Sequence, residues 1–66
     1  MTEEIKNIVD EYLDRFQASD IVLIKIKDQS HPINTLKRVF LERIKQREID
    51  NISAYIFLND LYLEKI

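Results

Sequence analysis

The 66-residue chain contains no glycine and no cysteine, and only one proline and one histidine. Each absence removes a class of answer. Without cysteine there is no disulfide framework, which excludes the small secreted proteins stapled by disulfides. One histidine and no thiolate leave no zinc-type ligand set. Without glycine no residue enters positive φ at low cost, so turns are expected to rely on Asn, Asp and Ser, and no glycine-rich loop exists to cradle a phosphate. Long hydrophobic runs are missing too, and stretches such as Ile21–Ile24 fall far short of the roughly 20 residues that span a membrane. Met1-Thr2-Glu3-Glu4 is acidic, with no apolar stretch after it that could act as a signal peptide. The cytoplasm is therefore the expected compartment.

What is present is apolar side chain. Hydrophobic residues make up 45% of the sequence, eleven of them isoleucine, more than a disordered chain carries. A single domain over residues 1–66 is expected, but at this size it buries only roughly 60% of its unfolded surface. Domains this small usually gain their margin from disulfides, a metal or a partner subunit, and only the last remains. A homodimer or higher self-association is the first partner expectation. The net charge of −2 conceals a segregation: residues 1–20 carry six acids against two bases, and residues 36–48 five bases against two acids. The heavy use of isoleucine, lysine and asparagine matches coding from an AT-rich genome, such as a low-GC bacterium or its phage.

From Glu3 to Gln17, Ile5, Ile8, Val9, Tyr12, Leu13 and Phe16 recur at three- and four-residue spacing, which predicts an amphipathic helix. Thr2 can cap it, and Glu11 and Arg15 form a well-ordered i,i+4 pair. Ser19-Asp20 breaks the pattern. The β-branched run 21–27 then predicts one strand, with Val22, Ile24 and Ile26 facing the helices while Ile21 and Leu23 need other cover. After an Asp28-Gln29-Ser30 turn, His31-Pro32 starts a second helix from about Ile33 to Glu48. The last segment fits two structures. As a helix capped by Asp50 or Asn51 it is apolar almost all round. As a hairpin turning at Asn59-Asp60 it places Ala54, Ile56, Leu58, Leu61 and Leu63 on one face and Tyr55, Phe57 and Tyr62 on the other. Asn-Asp lacks the glycine that tight hairpins favour, which tips the reading towards helix. The expected fold is α+β: helix–strand–helix, then a C-terminal helix or β-hairpin, with the strand paired between chains.

Catalytic chemistry has little to work with. Ser30 and His31 are chain neighbours, poorly placed as nucleophile and base, and Ser30-His31-Pro32 reads better as a helix start. Asp28 and His31 are too few to hold a metal. Asp10 and Asp14 belong to the solvated face of the first helix. No enzyme activity, cofactor or metal is expected. The second helix is less ordinary: Arg43 and Arg47 project into the stripe formed by Ile33, Leu36, Val39, Phe40 and Ile44. They either snorkel at the helix end or meet carboxylates or phosphates of a partner in bidentate fashion. Lys37, Arg38 and Lys45 lie outside the stripe as a solvated face. Tyr55, Phe57 and Tyr62 are more aromatic surface than so small a core can absorb, and large rigid rings contribute disproportionately at interfaces.

Two functions fit. One is a small non-enzymatic regulatory or adaptor protein that binds itself and another protein through Tyr55, Phe57, Tyr62, Arg43, Arg47, Ile21 and Leu23. The other follows from a lone strand before two helices, which resembles the ribbon-helix-helix order of dimeric DNA-binding repressors and antitoxins. That resemblance covers residues 21–66 and implies Lys25 and Lys27 facing the groove, with Asn51-Ile52-Ser53 near a phosphate. The acidic net charge, the long second helix and the missing inter-helix glycine depart from that pattern, so nucleic acid is the lesser expectation.

Overall fold

The apolar stripe predicted for the first helix is buried where it matters most. In the computed structural model, which describes residues 2–27 and 31–66 (of Thr2 only the backbone), α1 spans Thr2–Ala18. Its residues Val9, Leu13 and Phe16 are buried, with Ile5 and Tyr12 packed beside them. Burying a Val, Leu or Phe side chain contributes about 1.5–3 kcal/mol, so this one face accounts for much of the drive to fold. Ser19 ends the helix, its N–H and its hydroxyl both donating to the Phe16 carbonyl.

The strand that follows, β1, is short. It spans Leu23–Lys25, although backbone bonds from Lys65 N–H to the Val22 carbonyl and from Ile26 N–H to the Leu61 carbonyl extend its pairing at both ends. Ile24 and Ile26 face the core as expected, whereas Val22 is exposed. Val22 lies just ahead of β1, where its carbonyl still accepts from Lys65 N–H but its side chain stays in solvent. The capping role expected of Thr2 and the turn expected at Asp28-Gln29-Ser30 lie outside the described residues.

α2 spans Ile33–Gln46, with Pro32 in extended conformation at its N-cap position. The Pro32 carbonyl accepts the first helical bond from Leu36 N–H at 3.0 Å, the geometry that suits a residue with no N–H to lose. Leu36 and Phe40 are buried, with Ile33, Val39 and Ile44 packed around them. The helix ends two residues before the expected Glu48. Glu48 itself takes up φ of 54°, donating to the Lys45 carbonyl while Ile49 donates to that of Ile44. These two bonds make a Schellman motif, a C-terminal cap in which glycine usually holds the left-handed position.

The C-terminal segment is a β-hairpin, and the preference for a helix there is corrected. β2 spans Ile52–Phe57 and β3 Asp60–Lys65, antiparallel with Tyr55 opposite Tyr62 and Phe57 opposite Asp60. Its loop is Leu58-Asn59, one residue earlier than expected, with φ of 49° and 65°. Positive φ at both central residues matches a type I′ turn, whose twist suits the flanking strands. Glycine's absence is thus met by Glu48, Leu58 and Asn59, not by Asn, Asp and Ser alone.

The strand order is β1-β3-β2. β3 is central, and it supplies β1 with the partner that the sequence seemed to require from a second chain. The element order, ending in a hairpin, also departs from the strand–helix–helix order of ribbon-helix-helix proteins. Residues alternate across a sheet: Ile52, Ala54, Leu61 and Leu63 are buried against the helices. The result is a two-layer α+β domain only 16 Å deep along its shortest axis, with helices on one side of the sheet.

Candidate protein-binding face

The face of the sheet turned away from the helix-side core carries the residues that alternate with it. Their arrangement follows from the register. Leu23 lies beside Glu64, and Glu64 beside Ser53; Lys25 lies beside Tyr62, and Tyr62 beside Tyr55; Asp60 lies beside Phe57. The Tyr55 and Tyr62 rings stack with centroids 5.8 Å apart and planes inclined by 26°. Phe57 stands 58% exposed at the end of β2. An aromatic centre is therefore flanked by charged groups: Lys25 sits 3.9 Å from Asp60, and Glu64 follows Tyr62 along the same face of β3. Partial burial, followed by the negative charge of Glu64, raises the Tyr55 pKa above the ordinary tyrosine range.

Of the expected interface residues, Leu23, Tyr55, Phe57 and Tyr62 share this face. Leu23 is diagonal to Tyr62 and at the opposite end from Phe57. Ile21 is exposed just ahead of β1, its N–H bonded to the Ser19 hydroxyl. Glu64, Asp60 and Lys25 complete the polar surround; from sequence Lys25 reads as a groove-facing lysine and Asp60 as a turn residue, because nothing local ties them to the aromatic pair. The hairpin register is the missing information.

Arg43 and Arg47 belong elsewhere, between the helices. Arg43 Nε donates to Asp10 Oδ1 at 2.9 Å and its Nη2 to Asp10 Oδ2 at 3.2 Å. Arg47 Nη2 reaches Asp14 Oδ1 at 2.6 Å, while its Nη1, which makes no hydrogen bond, lies 3.6 Å from Asp10 Oδ1. The bidentate partner expected outside the chain is thus supplied from α1. Asp10 is correspondingly withdrawn from the solvated face, whereas Asp14 stays largely exposed. The hydrogen bond from Arg47 to Asp14 is the main reason its pKa rises further, so it is charged at every accessible pH. A signal for this was present: acids at 10 and 14 and arginines at 43 and 47 repeat the same four-residue step. Two parallel helices bring such steps into line.

A cleft of about 500 Å³ opens between β1 and the start of α2, lined in part by Lys25, Lys27, His31 and Asp60. Among the described residues that line it there is no serine, threonine or cysteine. Among the described residues no group of three or more His, Cys, Asp or Glu side chains is placed to hold a metal, and no helix is long and apolar enough to cross a membrane. Asp28, considered with His31 as a metal ligand, lies outside the described residues.

No protein-family model, no curated protein sequence and no solved structure matches the chain.

Proposed function

We propose that the protein is a small non-enzymatic regulatory or adaptor module that works by protein–protein binding, self-association included, through the open face of its sheet. The observation that carries this reading is the stacked Tyr55–Tyr62 pair, with Phe57 and Leu23 on the same uncovered face. Aromatic centres surrounded by polar groups are where binding energy concentrates in protein interfaces. The acidic side chains of α1, Glu3, Glu4 and Glu11 among them, remain exposed and would bias encounter towards a basic partner.

The test is a double substitution, Phe57→Ser with Tyr62→Ser, compared with the parent chain by light scattering and by recovery of bound protein. The expected result is loss of the oligomer or of the bound partner with the circular dichroism spectrum retained. Unchanged mass and unchanged recovery would refute the reading. A DNA-binding function has less support, because Lys25 is engaged with Asp60 and the net charge is −2, whereas a DNA-binding domain usually presents a basic footprint.

A further inference from the structure

Among the described residues no strand pairs with the outer edge of β1 or of β2, but the two edges differ. β1 is three residues long and includes Lys25, with Lys27 just beyond. Short length and lysine are the devices that keep edges from pairing. β2 is six residues, Ile52 to Phe57, with no charge, no proline and an unbroken register against β3. It has none of those protections.

The direction of its free hydrogen-bonding groups is determined. Ile66 N–H donates to the Asn51 carbonyl at 2.9 Å. Because bonding alternates along an antiparallel pair, Asn51, Ser53, Tyr55 and Phe57 turn their N–H and C=O groups towards β3. Ile52, Ala54 and Ile56 turn theirs outward. These three are spaced symmetrically about Ala54, with an isoleucine on either side.

We propose that a second copy of this chain pairs antiparallel along β2, about a twofold axis at Ala54. This rests on the protein-binding reading above and assigns it a partner and a geometry. Ala54 faces Ala54 of the second copy, and Ile52 faces Ile56, giving about six backbone hydrogen bonds between chains. Every residue keeps its side of the sheet, so the isoleucines extend the core while Ser53 meets Tyr55 on the open face. The two three-stranded sheets become one of six strands. Tyr55 of each copy lies diagonal to the other, within the reach of aromatic side chains, and the two stacked tyrosine pairs join into one row across the dimer.

The absence of cysteine makes the register directly testable. Ser53 and Tyr55 of the second copy form a non-hydrogen-bonded pair, with Cα atoms about 4.5 Å apart, inside the range a disulfide bridges. Mixing Ser53→Cys with Tyr55→Cys under mild oxidation should give a crosslinked heterodimer, and either variant alone should not crosslink. By light scattering the parent chain should have twice its 8.0 kDa mass. Ala54→Pro, which removes an outward-facing N–H and leaves the β2–β3 hydrogen bonds in place, should have the mass of one chain with its circular dichroism spectrum retained. A monomeric parent chain at all concentrations, or a dimer with no mixed crosslink, would overturn the pairing, as would crosslinking of Ser53→Cys or Tyr55→Cys alone. If the mixed crosslink fails while Phe57→Ser with Tyr62→Ser still lowers the mass, the edge pairing falls and the aromatic-face reading stands.

Discussion

Arg43 on α2 holds Asp10 on α1 through two parallel hydrogen bonds, 33 residues away in sequence. The pair is mostly enclosed, with 20% and 25% of the two side chains exposed, and Arg47 shares the same carboxylate. Parallel helices carrying acids and arginines at matching steps are thereby locked in register.

Asp10→Asn leaves Arg43 and Arg47 without their shared charge in a partly buried setting, and is expected to cost about 2 kcal/mol. Asp14 is 62% exposed, and Asp14→Asn should cost no more than about 0.5 kcal/mol. Urea unfolding of the two variants measures the contrast. Equal losses would mean that the bidentate pair does not register the helices.

Glu48 occupies a left-handed position that glycine fills without strain. Glu48→Gly should stabilise the domain by about 1 kcal/mol, raising the melting temperature by about 4–8 °C for a domain of this size. Glu48→Val, β-branched at the same φ, should lower it. A calorimetric scan of both variants separates the outcomes.

Leu58 stands in the first central position of the type I′ turn, 78% exposed and at φ 49°. Asn is the preferred residue there, so Leu58→Asn should also add about 1 kcal/mol while removing an exposed apolar side chain. Thermal denaturation checks the gain, and a loss would show that Leu58 packs on a partner.

Tyr55 has its pKa raised in the folded state, so folding favours the protonated phenol. The unfolded chain then releases this proton at lower pH than the folded one. The contribution to stability is complete below the ordinary tyrosine pKa and is lost as pH rises through the higher folded value. Ultraviolet titration of tyrosinate should show Tyr55 titrating late, and Glu64→Gln should bring it back towards the ordinary range. No response to Glu64→Gln would contradict the part assigned to the Glu64 charge.

The two helices were legible because their evidence is local. Val9, Leu13 and Phe16, and likewise Leu36 and Phe40, are spaced at the helical period and are buried; Pro32 marks the start of α2. The hairpin was less legible because residues 52–65 satisfy both periods and the turn carries no glycine. Leu58 entering positive φ is a local cost that only the pairing of β3 with two neighbours can offset. Arg43 and Arg47 stand out in the sequence as unusual for a core-facing stripe, but the sequence alone offers only snorkelling or an outside partner for them. Distance in sequence hid Asp10 and Asp14.

By itself the sequence determined the helical faces and the class of fold, because periodicity and composition act within a few residues. Only the tertiary structure decided that β3 sits between β1 and β2, and that choice puts Tyr55 beside Tyr62 on the open face while leaving the β2 edge unguarded. A strand's neighbours are set by pairing across the chain, and no short-range pattern encodes them.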